Sequence, residues 1–114
     1  MALSKKIELE NGIEVNYHRI VSLNKITNIS NVIEIASYAN EKQREKEEAY
    51  QNLQKKNIED NNSLTEEERD ILNQGINVFI NTDIISIPYD ETMAIESAYE
   101  YLKTLDKFKN AEDI

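Results

Sequence analysis

Asn11-Gly12 stands between two runs of alternating residues, Ile7 and Leu9 before it and Ile13, Val15 and Tyr17 after it. Both turn residues tolerate the positive φ of a two-residue type I′ turn, so the pattern predicts a β-hairpin. A hairpin here commits the start of the chain to an antiparallel sheet. Its second strand continues through Val21 to about Leu23, and Asn24 to Asn28 supplies polar turn formers. Alternation then resumes. Ile29, Asn31, Ile33 and Ile35 fall on one face of a third strand, and Val32, Glu34, Ala36 and Tyr38 on the other.

The next segment is built differently. Residues 41–72 hold ten acidic and six basic residues, against four of each in residues 1–40. Ala39 to about Lys56 has no Gly, Pro or β-branched residue, which predicts a helix. Its apolar content is limited to Ala49, Tyr50 and Leu53. Glu41 with Glu45 and Lys42 with Lys46 are like-charge pairs one turn apart, so this helix is expected to project from the body rather than bury a face. Asn57 to Asn62 reads as a flexible break. Thr65-Glu66-Glu67-Glu68 matches a capping box that opens a short helix, with Ser63 as the alternative cap and Gly75 closing it.

Apolar periodicity returns in Ile76 to Ile87, the clearest later strand, where Val78→Pro is expected to be disruptive if the strand pairs centrally, and Pro88 ends the run. The register blurs at Ile84-Ile85, which predicts either a bulge or partial cover on both faces. A last helix is expected over 92–105. Ile95, Ala98, Tyr99 and Leu102 form one stripe, and Lys103, Lys107 and Lys109 lie near its C-terminal end, where the helix dipole favours positive charge. Residues from 106 to 114 read as a loose tail. The expected fold is α+β: a mostly antiparallel sheet of about four strands, with a C-terminal helix packed on one face. The core spans 5–40 and 76–105 of a single domain, and 41–74 is a polar helical insertion.

The charge balance removes several function classes. A chain of 114 residues with net charge −9 is repelled by phosphate backbones and anionic lipids, so neither nucleic acid nor membrane is an expected partner. Acidity leaves two readings, solubility or imitation of nucleic acid toward a basic partner. The second needs a dense acidic face, and here Lys and Arg are interspersed among the acids. With no cysteine, thiol chemistry is excluded. Gly12 and Gly75 are the only glycines, which excludes a phosphate-binding loop, a dinucleotide fingerprint and a nucleophile elbow. The segment Met1 to Lys6 has no apolar run suited to a signal peptide, and no stretch approaches the length of a transmembrane helix. Synthesis in the cytoplasm is therefore the expectation.

The candidate functional residues are few. His18 is the sole histidine, with no second His or Cys to share a metal; the expectation is a half-exposed strand residue. Asp60-Asn61-Asn62-Ser63-Leu64-Thr65 resembles the start of a calcium loop. It has Thr65 where the loop needs Gly and Ile71 where it needs Glu, so it reads as a helix-capping loop. Asp90-Glu91 starts the last helix. Asp83 lies inside an apolar strand, either as an edge gatekeeper against aggregation or as a buried functional acid. Six tyrosines stand against no tryptophan, and tyrosine suits positions with one dry and one wet side. Tyr50 on the polar helix and Tyr101 off the core stripe are interface candidates, with Val78 and Asp83 on the strand. No cofactor, metal or small-molecule substrate is called for by any motif, and no enzyme activity is expected.

Residues 7–20, IELENGIEVNYHRI, and 98–105, AYEYLKTL, together with Ala111-Glu112-Asp113-Ile114, resemble small phage and prophage proteins of low-GC Gram-positive bacteria, encoded in the tail region. The resemblance covers the two ends and 60–87. It implies a non-enzymatic structural or accessory component of the tail module, acting through protein–protein contact or self-association, with association with the virion. It assigns no residue a role. An acidic protein that blocks a basic host partner is the alternative reading, and a small enzyme without a recognisable motif is a third.

Overall fold

The computed structural model describes residues 1–76, 78 and 80–114. The fold is α+β. Five strands form one antiparallel sheet: β1 (Leu3–Glu8), β2 (Glu14–Ile26), β3 (Ser30–Tyr38), β4 (Ile80–Pro88) and β5 (Glu112–Asp113), in the order β4-β3-β2-β1-β5. Three α-helices complete it: α1 (Glu41–Glu59), α2 (Glu66–Gln74) and α3 (Ile95–Leu102). No helix among the described residues is long and apolar enough to cross a membrane.

The first hairpin forms where Asn11-Gly12 predicts it, with a longer turn. Gly12 N–H donates to Leu9 C=O, Leu9 N–H donates to Ile13 C=O, and only Gly12 of the turn takes positive φ, at 82°. This is the three-residue loop with glycine in the left-handed position, not the type I′ turn, which needs positive φ at two residues. The Asn11 side chain instead accepts from Ile13 N–H. The second strand runs on to Ile26, and Asn28, at φ 62°, makes the turn into β3.

A one-residue bulge in β2 decides which side chains reach the core. Ile20 faces Ile35 and Ser22 faces Glu34, so Val21 is the extra residue and is 44% exposed. Across a bulge the alternation changes phase. His18 and Ile20 before it, and Leu23 after it, therefore pair with Ser37, Ile35 and Ile33 on one face of β3. On that face lies the apolar core: Leu3, Ile20, Ile33, Ile35, Ile87, Met93, Ala98, Tyr99, Leu102 and Phe108. Each fully buried Leu, Ile or Phe here contributes about 1.5–3 kcal/mol. The Tyr99 hydroxyl accepts from Ile20 N–H beside the bulge at 2.8 Å and donates to Met1 C=O at 2.9 Å, tying α3 to β2. Asn31, fully buried, ties the β4–α3 loop by bonding both N–H and C=O of Asp90.

Several expectations are corrected. The core begins at Ala2 and Leu3, both buried, rather than at residue 5. The later strand starts at Ile80, so Val78 lies ahead of it, and β4 is an edge strand. The positions 77 and 79 of the expected strand lie outside the described residues. No bulge interrupts β4 at Ile84-Ile85, because its pairing with β3 keeps one register over nine residues. The last helix is shorter than expected, and Ile95 is 44% exposed while Ala98, Tyr99 and Leu102 are buried. The tail is not loose: Phe108 is fully buried in a 3₁₀ turn, and β5 pairs with Leu3 and Ser4 of β1. Lys107 and Lys109 lie beyond the helix. Lys107 pairs with Asp83, and the Lys109 carbonyl accepts from Lys5 Nζ.

The polar insertion is two helices. Thr65 caps α2, with Glu68 completing the capping box, and Gly75 at φ 74° closes it. The expected break at 57–62 is mostly helical, since α1 continues to Glu59 and a 3₁₀ turn covers Asn61–Ser63. The radius of gyration, 16.5 Å, exceeds the ~13 Å of a compact domain of this length, as a body carrying a helical arm requires.

Candidate functional site

His18 is buried, not half-exposed, and belongs to a closed chain of bonds. Its Nε2 lies 2.7 Å from the Lys5 carbonyl, which only accepts, so Nε2 carries the hydrogen. Nδ1 therefore accepts from the Ser37 hydroxyl at 2.7 Å. This is the donor order of an activated hydroxyl. Both residues, however, are 1% exposed, and the ring packs in a T-shaped contact with Phe108, ring centroids 5.3 Å apart. Burial, opposed by the Lys5 carbonyl bond, holds the imidazole below its usual range, so it is neutral at pH 7. The arrangement joins β1, β2, β3 and the C-terminal turn.

A separate hollow of about 460 Å³ is lined by Leu9, Glu10, Asn11, Asn81, Asp83 and Lys107. Asp83 is partly exposed here and makes an ion pair with Lys107. The carboxylate is therefore half-buried and paired. Neither Ser37 nor His18 lines this hollow, so the Ser–His pair and the open polar surface are separate.

On the other face of β3 the cover is charged. Glu47, the one buried residue of α1, gathers three hydrogen bonds and an ion pair on a single oxygen, Oε1. Tyr38 Oη donates at 2.6 Å, Arg44 Nη1 at 2.8 Å and Gln51 Nε2 at 3.5 Å, and Arg19 Nη2 makes an ion pair at 3.6 Å. Tyr38 itself accepts from Arg19 Nε at 3.1 Å. Burial and the bond to Glu47 push the Tyr38 phenol up, which keeps it a donor. The sequence carried one sign of this cluster, Arg44 and Glu47 at three-residue spacing. Nothing in it pointed to Tyr38 or Arg19, which reach Glu47 only through the sheet register.

The four interface candidates do not converge. The Tyr50 hydroxyl donates to Leu72 C=O and fastens α1 to α2. Tyr101 packs half-buried against the apolar core. Val78 is half-buried ahead of β4, and Asp83 lies within β4.

The two edges of the sheet differ. One ends in β5, only two residues long, on a β1 whose register breaks between Ser4 and Ile7. The other is β4, nine residues in unbroken register with β3 and with no strand on its outer side among the described residues. Short strands and bulges blunt an edge. The β4 edge has neither; it carries Pro88 at its end and one charge, Asp83, met by Lys107. At its centre Ile84 is 71% exposed. Compared with family models, with curated proteins and with solved structures, the chain matches none.

Proposed function

We propose that this chain is a non-enzymatic protein–protein contact module that docks an extended segment along the outer edge of β4. The observation that carries the reading is the asymmetry of the sheet: one edge is blunted, and the other is long, regular and nearly free of charge. Backbone N–H and C=O groups along such an edge supply affinity, and alternate side chains supply selectivity. The resemblance of residues 7–20, 98–105 and 111–114 to phage and prophage tail-region proteins supports placing this contact in a tail module. The acids of α1 and α2 alternate with Lys42, Arg44, Lys46, Lys55, Lys56 and Arg69, which weighs against a surface built to block a basic partner.

The test is selection from a random peptide library on the immobilised protein. Binders are expected to alternate apolar and polar residues and to slow amide hydrogen exchange across 80–88. Their affinity is expected to change little with salt, whereas a charge-driven contact weakens steeply. Binders that protect the hairpin turn at Leu9 to Asn11 and leave 84–88 unprotected, or no binder at β4, would overturn the reading.

A further inference from the structure

An antiparallel strand pairs with its own copy about a two-fold axis normal to the sheet, which keeps like faces together. One residue of each copy then lies opposite itself, and for β4 the central choices are Asp83, Ile84 and Ile85. Centring on Asp83 opposes two carboxylates directly, which is unfavourable. Centring on Ile84 or on Ile85 sets Asp83 against an isoleucine of the second copy, Ile85 or Ile87, but centring on Ile85 leaves the Ile80 end unpaired. Centring on Ile84 uses all nine residues, with Ile80 opposite Pro88 of the second copy. It also places Thr82 opposite Ser86 on both sides of an Ile84–Ile84 pair. Thr82, Ile84 and Ser86 are all exposed and share one face. Hydroxyl pairs flanking an apolar pair are favourable cross-strand neighbours. The charge pattern agrees. In a chain with 31% charged residues, β4 carries only Asp83, and Lys107 of the same chain meets it. Two copies of net charge −9 thus meet along a strand that repels least.

We propose that the occupant of the β4 edge is a second copy of this chain, joined about a two-fold axis at Ile84 so that the two sheets become one. The inference rests on the reading of that edge as a docking site.

Sedimentation velocity over a concentration series tests it. The wild type is expected to show a reversible monomer–dimer equilibrium that tightens as salt rises, because salt screens the repulsion between two acidic copies. Ile84→Lys sets two like charges on the axis and is expected to weaken the dimer more than tenfold. At concentrations where both are monomeric, its circular dichroism and thermal midpoint are expected to match the wild type, since Ile84 is 71% exposed. The register is read with cysteine variants, as the chain has no native cysteine. Ile84→Cys is expected to form a disulfide-linked dimer on mild oxidation, because directly opposed Cα atoms lie about 4.5–5.5 Å apart. Thr82→Cys alone or Ser86→Cys alone is expected not to cross-link, being about 13 Å from its own counterpart. An equimolar mixture of those two is expected to cross-link. A monomer at every concentration, a dimer that survives Ile84→Lys, or cross-linking indifferent to position overturns the proposal. If the chain is monomeric but a selected peptide still protects residues 80–88, the second copy is excluded and the docking edge stands. If neither is seen, both fall.

Discussion

The two faces of β3 are covered by opposite means. Ile33 and Ile35 face an apolar layer formed by α3 and Phe108, while Ala36 and Tyr38 lie under a helix whose one buried residue is a glutamate. Apolar burial is non-directional and grows with area. The Glu47 cluster holds only while every donor keeps its place, because a buried charge that loses a partner is costly. The helical arm is thus attached through geometry, and the sheet is held through packing.

The largest effect is expected on the apolar side. Phe108→Ala opens a cavity at a fully buried position and is expected to cost about 3–5 kcal/mol in urea unfolding. Faster hydrogen exchange at Glu112 and Asp113 is expected with it, since Phe108 anchors the segment leading to β5. A loss below about 1 kcal/mol would mean that the C-terminal turn contributes little to the core.

Next comes Glu47→Gln, which keeps the shape and removes the charge. The Arg19 and Arg44 side chains remain 19% and 16% exposed, so water partly compensates. The cost is expected to be about 2–3 kcal/mol, below the range for a fully buried pair. Amide exchange in the first half of α1 is expected to rise while β2 and β3 keep their protection. Equal loosening of arm and sheet would erase the contrast between the faces. A double-mutant cycle with Tyr38→Phe is expected to show coupling, because both changes act on one bond.

The His18 chain gives a smaller, pH-dependent effect. The unfolded imidazole takes its proton near pH 6.5, and the folded one only at lower pH. The unfolded state therefore binds more protons in this window. This contribution to stability is complete above pH 6.5 and falls as pH drops toward the folded pKa, with a slope of at most about 1.4 kcal/mol per pH unit. Thermal midpoints between pH 7.5 and 5.5 measure it, and His18→Gln is expected to flatten the slope.

The smallest change is expected from Thr65→Ala, which removes the α2 cap and costs about 1 kcal/mol. Helical circular dichroism is expected to decrease while near-ultraviolet signals from the sheet side stay constant. A matching loss on both sides would show that arm and sheet unfold as one unit.

The parts of this fold legible in the sequence are those controlled by neighbouring residues. Gly12 marks the hairpin, Thr65 and Glu68 the second helix, and Ala98, Tyr99 and Leu102 the face of the third. Each depends on backbone conformation or on spacing within one element. Phe108 is not legible as a core residue because Lys107 and Lys109 flank it, so no periodicity surrounds it. Val78 was misplaced because alternation alone does not mark where pairing begins. The bond that Tyr50 donates to the Leu72 carbonyl depends on how α2 packs against α1, which no local pattern around Tyr50 encodes.

By itself the sequence determined the class of the protein: an antiparallel sheet begun by a hairpin, a charged helical insertion, a helix with one apolar stripe, and none of the glycine or cysteine chemistry that many enzyme sites require. Tertiary structure alone decided that Val21 bulges, that His18 and Ser37 meet, that Tyr38 and Arg19 join Arg44 at Glu47, and that β4 lies at an open edge. The physical reason is that propensity and periodicity act between residues a few positions apart. Strand order, register and buried polar bonds arise between residues far apart in the chain, where each choice depends on all the others.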